Sequence, residues 1–170
     1  MREAPKILIA GVGNELKQDD AFGIELARSL LKENGLSPNV KVMEVGIGGI
    51  HLVQELHEGY DVLVIADAVD YGGDPGQIYL RKLESIGDIE EMPTQEQRTF
   101  LADMHYTNPI RALMLAKALK VLPSQVMILG CEAQNHDDFA IGMSKKVIAA
   151  IPKAKEVINH WLLDNELINS

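Results

Sequence analysis

The stretch Ile7-Leu-Ile-Ala-Gly-Val-Gly-Asn14, running straight into Glu15-Leu-Lys-Gln-Asp-Asp-Ala-Phe-Gly23, decides the fold. Residues from Lys6 to Gly11 are almost continuously apolar, too few for a buried helix, and read as a strand covered on both faces. A helix follows from about Asp20, because Phe22, Leu26 and Leu30 recur every fourth residue with Ala27 and Leu31 alongside. Asn34-Gly35 supplies its left-handed stop. Strand, glycine turn and helix in this order open a largely parallel sheet flanked by helices.

Working outward, Val40 to Val45 reads as a second strand, and Gly46-Ile-Gly-Gly49 turns into a short helix ending near His57-Glu-Gly59. The third strand is Asp61 to Ala66. Gly72-Gly-Asp-Pro-Gly76 is a turn cluster, and Gln77 to Leu80 is a short strand, antiparallel or at an edge because no crossover helix fits between. Ile86 to Met104 is polar, contains Pro93 and has no clean period, so it reads as a long loop over the site with one helical turn. Asn108-Pro109 caps and begins a helix through Lys120, with Ala112, Leu115, Ala116 and Leu119 facing inward. Gln125 to Cys131 is the last strand. Ser144 and Pro152 each start a helical segment, the second with Ala154, Val157, Ile158, Trp161 and Leu162 at core spacing. The expected fold is an α/β three-layer sandwich, a mostly parallel twisted sheet of about five strands with helices on both faces.

A length of 170 residues fits a single domain spanning 1–170. The hydrophobic share of 46% and charged share of 24% are those of an ordinary globular chain. A net charge of −9, without a basic stripe, argues against nucleic acid as a partner. Cys131 is the only cysteine, which excludes an intrachain disulfide and a thiolate cluster and fits a reducing cytoplasm. Met1 to Lys6 lead directly into the first strand with no secretion signal, and no apolar run reaches the roughly 20 residues needed to insert in a membrane.

Gly11-Val-Gly-Asn14 matches half of a dinucleotide fingerprint, but the third glycine is missing, and Asp19 and Asp20 at the helix start would repel a diphosphate. Of that acidic pair, one is expected to cap the helix and the other to be left for other work. Asp67, closing Val62-Leu-Val-Ile-Ala-Asp67, stands where ligands bind in parallel sheets, at the carboxyl ends of the strands. An imidazole meeting Asp20 and Asp67 would complete a metal-capturing site. By position alone His105, in Asp103-Met-His-Tyr-Thr-Asn-Pro109, reads as a turn residue, with His136 after the last strand as its rival. His51, His57 and His160 fall on helix surfaces. Two carboxylates and an imidazole suit a borderline divalent ion such as nickel or zinc.

Taken together, Gly11-Val-Gly-Asn14 with Asp19-Asp-Ala-Phe-Gly23, then Ile65-Ala-Asp-Ala68, the Met104-His-Tyr-Thr-Asn-Pro109 histidine, Gly130 and Ile141-Gly-Met-Ser144 resemble the hydrogenase maturation endopeptidases. The resemblance runs from about Lys6 to Pro152. It implies an endopeptidase that removes the C-terminal extension of the large-subunit precursor of a nickel-iron hydrogenase after nickel insertion. It also implies that Asp20, Asp67 and His105 are at once the catalytic and the metal-recognising residues, and it selects His105 over His136. The nickel would be supplied by the substrate, and another divalent ion such as zinc or cadmium could occupy the same place. A cytoplasmic monomer is expected. Two departures stand out: Glu44-Val-Gly-Ile47 where the family often has Asp-Gly-Gly-Thr, and Glu15 where it usually has an apolar residue or proline. Two other classes remain open at this stage, a maturation chaperone or metal-dependent binding module that clasps the precursor without cutting it, and a small nucleotide-binding protein.

Overall fold

The computed structural model describes residues 3–46, 49–96, 98, 109–136 and 138–169. Five strands, β1 (Ile7–Val12), β2 (Val40–Gly46), β3 (Val62–Val69), β4 (Ile78–Lys82) and β5 (Gln125–Glu132), form one sheet in the order β2-β1-β3-β5-β4. The first three and β5 are parallel, and β4 runs antiparallel to β5 at the edge, as the short connection requires.

The side-chain alternation of β1 and β3 sorts the core into two layers. Ile7, Ile9, Val62, Val64 and Ala66 pack with Phe22, Leu26 and Leu30 of α1 (Phe22–Lys32) and with Val147, Ala154, Ile158 and Leu162 of a long C-terminal helix. On the other face, Leu8, Ala10, Leu63 and Ile65 meet Leu52, Val53 and Leu56 of α2 (Gly49–Leu56), and Ala112, Leu113 and Ala116 of α3 (Pro109–Ala118). Helices therefore cover both faces, the three-layer α/β arrangement expected.

Several sequence expectations are corrected. The strand expected to end at Ala66 continues to Val69, because β5 keeps pairing with it after β1 has stopped at Gly11↔Ala66. The two segments expected at Ser144 and Pro152 are one helix, α4 (Lys145–Asp164), with the proline inside it. Pro152 and Ile148, whose carbonyl loses its partner there, are both exposed, so the lost hydrogen bond faces water while the apolar stripe beneath runs on unbroken. In α3 the buried side chains include Leu113 and Met114, whereas Leu119 is beyond the helix and exposed. Of the loop expected over Ile86–Met104, a 3-10 turn at Ile89–Glu91 is described, and residues 97 and 99–104 lie outside the described residues. No helix among the described residues is long and apolar enough to cross a membrane.

Candidate active site

The chain passes from β1 to β2 on one side and from β2 back across to β3 on the other, so β1 and β3 flank the crevice at their carboxyl ends that parallel sheets use for ligands. Asp20 follows β1 through a 3-10 turn (Gln18–Ala21), and Asp67 is the first residue of β3 beyond the reach of β1. Both carboxylates are partly buried.

Glycines bring the two together. A side chain at Gly23 would place its Cβ 2.1 Å from the carbonyl oxygen of Ala66 and 2.3 Å from that of Val12, so only glycine lets the start of α1 lie directly on the backbone preceding Asp67. A Cβ at Gly13 would fall 1.9 Å from the carbonyl oxygen of Asp20. The half-fingerprint of the sequence is therefore consumed in packing, and a diphosphate has no cradle there.

The loop is then tied to its own aspartate. The Asn14 amide donates to Asp20 Oδ2 at 3.0 Å, and the Leu16 amide donates to Asn14 Oδ1 at 2.9 Å. Burial raises the proton affinity of Asp20, partly offset by the Asn14 amide and by the charges of Lys17 and His136. Asp67 is raised well above the ordinary carboxylate range, first by burial and then by the negative charge of Asp20, with the Ala68 amide opposing. The charge of Asp20 thus makes Asp67 harder to ionise, an arrangement in which a cation would relieve the repulsion.

The third expected residue, His105, lies outside the described residues. The helix that follows it begins at Pro109, which lines one small apolar cavity with Val12, Val45 and Gly46 at the carboxyl ends of β1 and β2. The rival His136 sits 3.8 Å from Asp70 and close enough for its charge to act on Asp20. Among the described residues, however, no three His, Cys, Asp or Glu side chains gather to hold an ion. His51, His57 and His160 are exposed on or beside helices, as expected.

Sequence reasoning missed the work of Asp19. Neither aspartate caps α1, whose first turn receives no side-chain cap. Asp19 is fully buried and accepts hydrogen bonds from the amides of Gln134, Asn135 and Ser144 and from the Ser144 hydroxyl. Glu132, the other buried charged residue among those described, accepts from the amides of Tyr71 and Gly72 and from the Tyr79 hydroxyl, which fixes the turn beyond Asp67. Cys131 is buried, and its thiol is pushed up to about 12 by burial and by Asp19 and Glu132, which disqualifies it as a thiolate nucleophile.

The two departures from the family pattern meet at one residue. Arg28 of α1 pairs with both Glu15 and Glu44, and with Glu25 at 2.9 Å. All four side chains are more than a third exposed, so the cluster adds little to the stability of the fold.

The chain belongs to the hydrogenase maturation protease family, whose model matches residues 24–161. It is accordingly a peptidase of that family. It is 32% identical to the hydrogenase expression/formation protein HupD of Thiocapsa roseopersicina, over 95% of this chain and 70% of that one. It is 30% identical to HupD of Rhizobium leguminosarum bv. viciae, over 93% of this chain and 76% of the relative. A hydrogenase 2 maturation peptidase from a Thaumarchaeota archaeon superposes with a TM-score of 0.66 at 27% identity, covering 95% of this chain and 99% of that one. The maturating endopeptidase HybD of E. coli shares the fold, with a TM-score of 0.73 at 22% identity over 94% of this chain and 93% of its own.

Proposed function

We propose that this peptidase removes the C-terminal extension of a nickel-iron hydrogenase large-subunit precursor once nickel is in place, and that Asp20, Asp67 and His105 recognise that nickel. The observation that carries the reading is the pair of partly buried carboxylates whose charges oppose each other at the sheet's switch point. Such a pair gains from a cation brought into it, and two oxygen donors with an imidazole suit nickel, with zinc or cadmium as surrogates. The ion belongs to the substrate, so cutting would follow only on loaded precursor. An unloaded precursor would leave the carboxylates repelling each other and the peptide unplaced.

His105 enters from the family resemblance, supported by α3 starting at the same end of the sheet four residues further on. For the attack on the scissile carbonyl, a water positioned in the crevice must lose a proton. A carboxylate whose proton affinity is raised, here by burial and by the charge of Asp20, is the better acceptor, which favours Asp67 for that task. Localisation in the cytoplasm and action as a monomer belong to the same reading.

Incubating the purified protein with nickel-loaded and nickel-free precursor, and following release of the C-terminal peptide by mass spectrometry, tests it. Only loaded precursor should be cut, and Asp20→Ala, Asp67→Ala and His105→Ala should each stop release while circular dichroism shows a folded chain. Wild-type cutting by all three variants would refute the site. Loss of activity in His136→Ala with His105→Ala intact would move the imidazole role to His136.

A further inference from the structure

Beyond the residues that would meet the substrate, we infer that Asp19 is a positioning residue: its buried carboxylate clasps the turn carrying Asp20 to the loop after β5 and to the start of α4, and so sets where the Asp20 carboxylate stands. The inference rests on the reading of Asp20 as a site residue given above.

The clasp is closed from both sides. Asp19 Oδ2 accepts from Gln134 N at 2.9 Å, Asn135 N at 2.8 Å and Ser144 Oγ at 2.9 Å, and Asp19 Oδ1 accepts from Ser144 N at 2.6 Å. In return the Asp19 amide donates to Asn135 O at 2.9 Å and the Gln18 amide to Ala140 O at 3.0 Å, while Ala140 N donates to Leu16 O at 2.9 Å. All these partners lie more than a hundred residues along the chain, 115 to 125 for the carboxylate itself.

One role of this carboxylate is plain. The first turn of α4 holds Lys145 and Lys146 and no acid, and Ser144 makes no side-chain cap, so Asp19 supplies the negative group that a helix N-terminus favours. A local cap at position 144 would have done that alone. Taking the cap from the turn before Asp20 does something further, because little slack lies between the two residues. Gln18 is held in the left-handed region at φ 51°, and the Asp20 carbonyl fills the space a side chain at Gly13 would need. A shift of Asp19 therefore passes to Asp20 and to the Asn14 amide that Asp20 accepts. The same clasp holds Asn135, so the loop bringing His136 beside Asp20 is set by it too.

The test is Asp19→Asn, which keeps the shape and turns an NH2 group toward donors. Assayed on loaded precursor well below the variant's own melting temperature, kcat should fall by about tenfold to a hundredfold, the cost of a small misplacement, with KM within about threefold of wild type. In parallel, hydrogen exchange by NMR should show the Asn14 amide losing protection while the interior amides of β1 keep theirs. If Asp19→Asn does not fold, Ser144→Pro takes its place: the Ser144 φ of −62° already suits proline, and the change removes two of the four donors. Wild-type kcat in the folded variant would overturn the inference and leave Asp19 a helix cap only. If the wild-type protein itself fails to cut loaded precursor, the proposed function falls, and the positioning role then stands or falls on whether Asn14 protection changes.

Discussion

Asp67 is destabilised as an anion in the folded chain, and this fixes the sign of a pH effect. Its folded ionisation is raised above the unfolded value of about 3.9, so between the two the folded state binds more protons than the unfolded one. Stability held below that window is lost as pH rises through it. Asp67→Asn should therefore be more stable than wild type near pH 8 by about 0.5–2 kcal/mol, with the gain shrinking toward pH 4, as denaturant titrations at several pH values would show. The same variant should not process precursor. Cys131→Ala should leave release of the peptide within about twofold and cost about 1 kcal/mol for the small void beneath α4, checked by the same titrations. At this scale the sequence is legible where a residue breaks its surroundings. Asp67 stood out as an acid in an apolar strand, and the isolated histidines read as surface residues. Asp19 did not stand out, because nothing local separates it from Asp20. Its partners come from segments that only the folded sheet brings near, and its neighbour shares its chemistry.

The elements were legible in kind and less so in extent. Apolar period and turn residues mark where each strand and helix exists, but ends depend on neighbours. β3 runs three residues past Ala66 because β5 offers partners there, and no signal within β3 itself announces this. α4 passes through Pro152 because the apolar face beneath it continues from Val147 to Leu162 and the broken bond faces water. Pro152→Ala should restore that bond and stabilise the protein by about 1–3 kcal/mol with peptide release unchanged, measured by thermal and denaturant unfolding. Gly23→Ala makes the opposite case. Its methyl group would meet two carbonyl oxygens between α1 and the ends of β1 and β3, so it should cost about 1–3 kcal/mol or more and lower kcat by pushing Asp20 from Asp67, read from melting and processing assays.

For the molecule as a whole, the parallel order followed from the alternation of strands and helices, and the antiparallel edge followed from a connection too short for a helix. The pairing of Glu15 with Glu44 through Arg28 was beyond a linear reading, since each looked like an unrelated departure until α1 set an arginine between them. The end of the sheet remote from the site is closed by Asn39, whose side-chain amide donates to the carbonyls of Pro5 at 2.7 Å and Leu167 at 2.8 Å. Asn39→Ala should lower stability by about 1–2 kcal/mol and leave kcat on loaded precursor unchanged, which separates holding the fold from holding the site. The interlock around Asp19 carries a last consequence. Because the turn after the first strand is fastened in part by segments made after the final strand, a chain still emerging from the ribosome owns both aspartates before the clasp on Asp19 can close. On the positioning role inferred for Asp19, the seat of the Asp20 carboxylate is complete only once the start of α4 has formed.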